Sequence, residues 1–526
     1  MRIFSFVFIL LMIFQFFFGC GKLTGTEENM NDKLIFKDSV EENTYFFENL
    51  IDSNFVLESN QPYSAKDSII NFENDQYDTS GIFTFRGGAQ RNSPVKGIMS
   101  VTPTKIITGW IYRTEYDTIH GKYGTWGGGA GWTGQPLLVI WKNEELKNIH
   151  AIFPEFKNRQ TPLKEIIQVS LCGKIYFLDF DSGKPTRLPI SISNPIKGTP
   201  SIDKINKNYL FVGQGVQHNG SFGWRIFNLK TNALVHLEKM PSSFAYGKWG
   251  ACDASPLIDA KANSFIWPTE SGVIYKGILK NDKKALIHQY RYFISKYKQQ
   301  GIESSPAAYH NLCYFSDNAG HVFCVNLHTM KPRWHFNNTD DTDASPVLQI
   351  KNDTPYVFIG NEVDHQGLKG YSYLRKLNGL TGHLIWEYKT RCYSRVFPKI
   401  NSGGMLSTPL VGINKAKDWI WTIFSRTDSV GCAKLVCVNI HTGKLKYELP
   451  IENYSWVSPI ALYNHVGKPF IYFSDVGGNI YLIDGDSGKI LFKNNTGSIF
   501  ESSPIAFGNR IVQPARGNKI FSFLLQ

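Results

Sequence analysis

Four carboxylates hold the same position relative to a recurring proline. Asp253, Glu303, Asp343 and Glu501 each stand three residues before the Pro of an Ala-Ser-Pro or Ser-Ser-Pro triplet, the first three in consecutive copies. Acidic side chains gathered at one place can bind a cation, a basic group or the hydroxyls of a sugar. The simpler local role is to cap the N–H groups of the Ser-Ser-Pro turn. A second group is aromatic. Tyr123, Trp126 and Trp132 lie in a Gly-rich run, and Tyr246 and Trp249 lie in a shorter Tyr-Gly-Lys-Trp-Gly. Rings in such loops make a stacking platform for a sugar or a quinone, or they pack. A third stretch, residues 361–367, sets Glu362, Asp364 and His365 together as metal ligands or an acid–base pair. Arg391, Arg395 and Lys399 follow it and could form an anion-binding rim. None of these groups has a spacing that fixes a reaction, so no catalytic residue and no metal site is assigned.

The elements that must position these side chains are short strands in a repeat. Its clearest copy is residues 455–492. Strands at Pro459–Tyr463, Phe470–Ser474, Ile480–Asp484 and Ile490–Lys493 are separated by turns containing Gly, Asn and Asp. Eight prolines open the copies, at 136, 200, 256, 306, 346, 409, 459 and 504, and most intervals between them run from 40 to 56 residues. Proline suits the first residue of a strand, where an N–H can be spared. A period of this size with four strands per unit predicts propeller blades. A second marker, such as Asp486-Ser-Gly-Lys, sits at the third turn. Four residues past its Gly-like position stand Trp334, Trp386, Tyr447 and Phe492, read as plugs between blades, with Arg187 and His236 there in the first two copies. After Pro504 only three strands fit. The orphan strand Lys105–Tyr112 is therefore predicted to supply the missing fourth and close the ring. The expected fold is all-β: an eight-bladed propeller of four-stranded antiparallel blades, its last blade completed by an N-terminal strand.

These repeats resemble the pyrroloquinoline-quinone (PQQ)-type propeller family over roughly residues 81–526, and Phe85–Asn92 resembles the segment that often precedes such propellers. The family contains quinone-dependent dehydrogenases and cofactor-free scaffolds. The dehydrogenase branch implies PQQ, Ca²⁺ and a vicinal Cys-Cys; this chain has no adjacent cysteines. The scaffold branch includes the lipoprotein subunit of the β-barrel assembly machinery (BamB-like) and implies a lipid anchor and partners bound on one face.

The N-terminus fits that second branch. Arg2 precedes an apolar run from Ile3 to Phe18, and small Gly19 precedes Cys20, so residues 1–19 read as a lipoprotein signal peptide and Cys20 as the lipidated residue. Residues 20–80 read as an acidic flexible tether and 81–526 as the propeller. Between residues 23 and 80 there are 13 acidic and 3 basic side chains; from 81 onwards there are 31 acidic and 51 basic. A basic body behind an acidic arm implies an anionic partner or an arm folded back on the body. Seven cysteines beyond Cys20, without CxxC spacing, read as buried thiols. The expected function is a lipid-anchored cell-envelope scaffold, monomeric and without a cofactor, at the outer membrane and facing the periplasm. Its partner is an envelope protein or an anionic polymer, and not nucleic acid. The alternatives are a PQQ-dependent oxidoreductase or a polysaccharide-binding protein.

Overall fold

A computed structural model describes residues 55–61, 70–75, 80–131, 134–280, 284–294, 301–395, 402–428 and 431–526. The signal peptide and Cys20 lie outside the described residues, as do Trp132 and Lys399. Eight blades surround one axis, in the order of their opening prolines. The innermost strands are Leu137–Trp141, Ser201–Ile202, Leu257–Asp259, Ala307–Tyr309, Val347–Lys351, Leu410–Val411, Ile460–Tyr463 and Ile505–Phe507, defining blades 1 to 8. Blade 7 has strands Ile460–Tyr463, Pro469–Ser474, Asn479–Asp484 and Ile490–Asn495, within two residues of the sequence reading. Ring closure follows the prediction. Ile106–Arg113 pairs antiparallel with Lys519–Leu525 as the outermost strand of blade 8.

Three blades gain a fifth strand. Gly81–Ile82 pairs with the inner edge of blade 1. Val95–Lys96 pairs with Ala506–Phe507 of blade 8 in parallel. Phe55–Ser59 covers the outer edge of blade 3 through Lys284–Ile294. This last strand belongs to the segment read as a flexible tether, so part of that segment is packed on the propeller. Acidic residues of the segment hold it there. Glu58 pairs with Arg291 at 2.6 Å and Glu73 with Lys261 at 2.8 Å.

Alternating strands give each blade two apolar faces, and each of the eight interfaces between neighbouring blades has its own apolar cluster. The constant-spacing aromatics sit at the outer end of these interfaces. The indole N–H groups of Trp110, Trp334 and Trp386 donate to the carbonyls of Phe180, Gly379 and Ile440 of the next blade, at 2.9–3.0 Å. The Tyr447 hydroxyl donates to Gly485 in the same way. Each ring lies on the turn glycine of that neighbour; a Cβ at Gly382 would meet Trp334 at 2.7 Å. Arg187, which departs from the pattern in sequence, makes the equivalent bond to the Leu229 carbonyl. Its charge is balanced by fully buried Glu165.

At the axis the ring is closed by side chains. In blade after blade the residue before the opening proline donates its backbone N–H to the hydroxyl at the same position of the next blade. These bonds run from Gln135 to Thr199, Ser255 to Ser305, Ser305 to Ser345, Ser345 to Thr408, Thr408 to Ser458 and Ser458 to Ser503, at 2.8–3.1 Å. The N–H groups of Ser255, Ser305 and Ser345 are therefore taken by the neighbouring hydroxyl and not capped by Asp253, Glu303 and Asp343, the simpler sequence reading for these three N–H groups.

Residues 81–96 form a plug across one end of the channel. Arg91 donates to the carbonyls of Pro306, Phe85 and Ser255 and to the Thr84 hydroxyl, at 2.7–2.9 Å. Arg86 reaches the Pro459 carbonyl across the ring at 2.7 Å. Both arginines are fully buried, and burial pulls each guanidinium down to about 9. Both have left-handed backbones, φ 57° and 58°, a strain that their side-chain bonds to several blades hold in place.

The hydroxyl belt makes a direct prediction. Ser345→Ala leaves the buried Ser305 N–H without an acceptor and should cost about 1–3 kcal/mol in thermal or denaturant unfolding. Ser345→Thr, which keeps the oxygen that Thr199 and Thr408 use, should recover part of it.

Candidate functional site

The end of the channel opposite the plug is where the chain enters each innermost strand. Position minus three from the opening proline faces the axis there. Blades 2 to 5 present Lys197, Asp253, Glu303 and Asp343, and blades 6 and 7 present Leu406 and Trp456. Asp343, Leu406 and Trp456 line a small axial cavity with Thr408 and Ser458, and Phe85 of the plug also lines it. The mouth is thus charged on one side and apolar on the other.

The structure brings Asp253, Glu303 and Asp343 together. Asp253 is ion-paired with Lys197, both buried. Ligand oxygens of Asp253, Glu270 and Glu303 lie within 4.8 Å of one another. Glu270 comes from the turn between the second and third strands of blade 3. Glu501 does not join them. Its own blade supplies Arg516, with Nε 3.5 Å from the Glu501 carboxylate. Sequence reasoning missed Lys197 and Glu270. Lys197 carries the signal that identified the acids, since it also precedes its proline by three residues. Glu270 shares no register with the others.

The aromatic candidates divide. Tyr123 and Trp249 pack edge to face with centroids 5.4 Å apart, 48% and 40% exposed. The Trp249 indole N–H donates to Glu270 at 2.6 Å, joining this aromatic wall to the acids. Tyr246 stacks on Arg291 and donates to Glu58, fastening the N-terminal strand. Half-buried Trp126 is placed by its loop: Asp117 accepts the N–H groups of Trp126 and Ile119 at 2.8 and 2.9 Å. Gly129 lets this loop pass against blade 8. Its φ is +65°, and a Cβ would lie 1.8 Å from the Ala515 carbonyl oxygen. Arg391 and Arg395 are exposed, on and just after the outermost strand of blade 5.

Burial pushes Asp253 and Glu270 above the usual carboxylate range. Neighbouring Glu303 adds to the rise and Lys197 opposes it. Burial also opposes the charge of Lys197, but Asp253, Glu270 and Glu303 overcome it and hold the ammonium charged. One lysine among these carboxylates leaves room for a further cation.

The sign of the pH dependence follows from the raised value. The unfolded Glu270 carboxyl titrates near 4.5, whereas the fold holds its proton to higher pH. This contribution is complete below the unfolded value and is lost as pH rises through the folded one. Glu270→Gln should therefore gain Tm relative to wild type as the pH rises above the unfolded value, through neutrality. A constant difference across that window would show that Glu270 does not hold the proton.

No family model and no curated protein sequence matches the chain. Among solved structures, the chain is similar to quinohemoprotein alcohol dehydrogenase ADHIIG from Pseudomonas putida HK5. The TM-score is 0.57 at 9% identity, over 88% of this chain and 83% of that one. BamB from Moraxella catarrhalis gives a TM-score of 0.48 at 15% identity, over 69% and 92%. The computationally designed protein Ika8 gives 0.48 at 11%, over 79% and 100%. At such identities the likeness is one of fold, and what the chain shares with the dehydrogenase is the fold alone.

Proposed function

We propose that this protein is a lipid-anchored envelope propeller that acts as a binding scaffold and takes a basic segment of a protein partner at the end of its channel opposite the plug. The observation that carries the reading is the mouth's charge pattern. Asp253, Glu270, Glu303 and Asp343 face one lysine, with Tyr123 and Trp249 alongside. A Lys or Arg side chain answers both features. Its charge is met by carboxylates, and its stem or guanidinium plane lies on an aromatic face. The basic surplus of the body would favour an anionic polymer instead, but it does not lie at the axial mouth. With the far end plugged by residues 81–96, a ligand can enter from one face only. The lipid on Cys20 would hold the ring at the outer membrane, on its periplasmic side.

The test is crosslinking in whole envelopes followed by recovery of the tagged, lipidated chain. A discrete protein partner is expected with wild type. Asp253→Asn combined with Glu303→Gln and Asp343→Asn should lower its recovery on the order of 10-fold or more. Equal recovery by the triple variant would remove the mouth from the reading. Recovery of glycan alone would assign a polysaccharide ligand, and recovery of nothing would remove the scaffold.

A further inference from the structure

The plug completes the inner edges of most blades, one backbone carbonyl at a time. In blades 2, 4, 5 and 8 the N–H two residues after the opening proline belongs to Ile202, Ala308, Leu348 and Ala506. These donate to the carbonyls of Phe83, Ala89, Gln90 and Pro94 at 2.8–3.3 Å. Blade 1 pairs there with Gly81–Ile82. Blades 6 and 7 differ. Gly412 and Asn464 bond to Trp419 and Lys468 of the second strands, so the alternation of an antiparallel pair turns the Val411 and Ala461 N–H groups inward. The plug passes from blade 5 at Gln90 to blade 8 at Pro94. Among the described residues, no group accepts the N–H of Val411 or of Ala461.

Both residues line one cavity of about 280 Å³, bounded by residues 92–98 of the plug and walled by Leu410, Ile413 and Tyr463. An independent sign of a ligand is Asn92. It is 6% exposed and lines the cavity, yet neither its amide nitrogen nor its amide oxygen has a hydrogen-bond partner. A buried amide left in this state is costly, and a polar group entering the cavity would relieve it. Among the described residues no carboxylate lines the cavity, and Ile98, which does, is 64% exposed. The Ile258 N–H of blade 3 is also open, but the hollow there is smaller, about 110 Å³, and is lined by Glu73, Asp75 and Asp259.

We infer that this cavity binds a short, extended, apolar segment of a protein partner. The segment gives backbone carbonyls to the Val411 and Ala461 N–H groups and pairs a backbone amide with the Asn92 side chain. It continues across blades 6 and 7 the interface that the plug already makes with blades 1, 2, 4, 5 and 8. Main-chain hydrogen bonds supply the attachment, and an apolar side chain against Leu410, Ile413 and Tyr463 supplies the selectivity. The site lies at the plugged end of the ring and holds independently of partner capture at the acidic mouth.

The test uses the full chain and the capped tripeptide acetyl-Val-Leu-Val-amide, titrated by calorimetry and followed by hydrogen exchange with mass spectrometry. Binding with Kd on the order of 10⁻⁴ M is expected. Exchange should slow in segments 409–413 and 459–463 and stay unchanged in 346–350, where Gln90 already takes the Leu348 N–H. Asn92→Leu removes the unpartnered amide, so it should keep or raise Tm and weaken binding about 10-fold. Ile98→Asp, at an exposed position, should fold and weaken binding as well, whereas Leu445→Asp on the outermost strand of blade 6 should not. Absence of binding up to about 10 mM peptide would overturn the proposal. So would an affinity unchanged in both Asn92→Leu and Ile98→Asp. Preference for the peptide with a free C-terminal acid would overturn it in favour of a carboxylate site. Exchange in 409–413 and 459–463 already as slow in the free chain as in 346–350 would overturn it in favour of an arm of the same chain.

Discussion

The inner edges of eight blades meet at one axis, and the backbone groups there must be satisfied without a strand to pair with. This constraint shapes the rest of the molecule. Proline begins each innermost strand and removes one N–H. The N–H just before it is taken by a serine or threonine hydroxyl of the neighbouring blade, as from Ser255 to Ser305 and on to Ser345. The Ser-Pro dipeptide is therefore a joint between blades as much as a strand signal. It sets the angular position of every first strand, and with it the direction of the residue three places earlier.

Two consequences follow for the channel. Its carbonyl-lined end is sealed by the plug, where Arg91 alone bonds blades 3 and 4 and its own loop. A guanidinium suits that task because its planar fork satisfies several carbonyls at once. Its other end presents whatever residue occupies position minus three. Because the belt satisfies the turn N–H groups, a carboxylate at that position has no backbone partner to claim it. It remains available to Lys197, to its acidic neighbours or to a ligand.

Much of the fold was legible in sequence because the repeat constrains it locally. Prolines, turn glycines and the aromatics at constant spacing recur where blades must meet, and the orphan strand before blade 1 matched the deficit at the C-terminus. What the sequence concealed depends on long-range closure. Phe85–Asn92 resembles a segment that precedes the repeats, but nothing local distinguishes a surface lead-in from a plug. The bonds that define the plug link residues more than 160 positions apart, such as Arg91 to Ser255. Arg187 read as a departure from the aromatic pattern, yet a guanidinium can reach the same carbonyl once Glu165 supplies its counter-charge. The site was half visible. Three acids were found through their register with proline; Glu270 arrives from another turn and shares no spacing with them. Glu501 has the right register, but Arg516 of its own blade claims it.

The same reasoning locates function within the ring. Blade 7, the most regular copy, presents Trp456 to the axis, and blade 6 presents Leu406. Blades 2 to 5 present charge, and blade 5 alone carries the insert that sets Asp340 beneath a loop of further acids. The acidic copies of blades 3 to 5 are adjacent, so their fields add on one side of the mouth, whereas Glu501 of blade 8 is paired with Arg516 of its own blade. An anionic half facing an apolar half is an oriented surface. A ligand bound there is fixed in rotation about the axis as well as in position, which a symmetric ring cannot achieve.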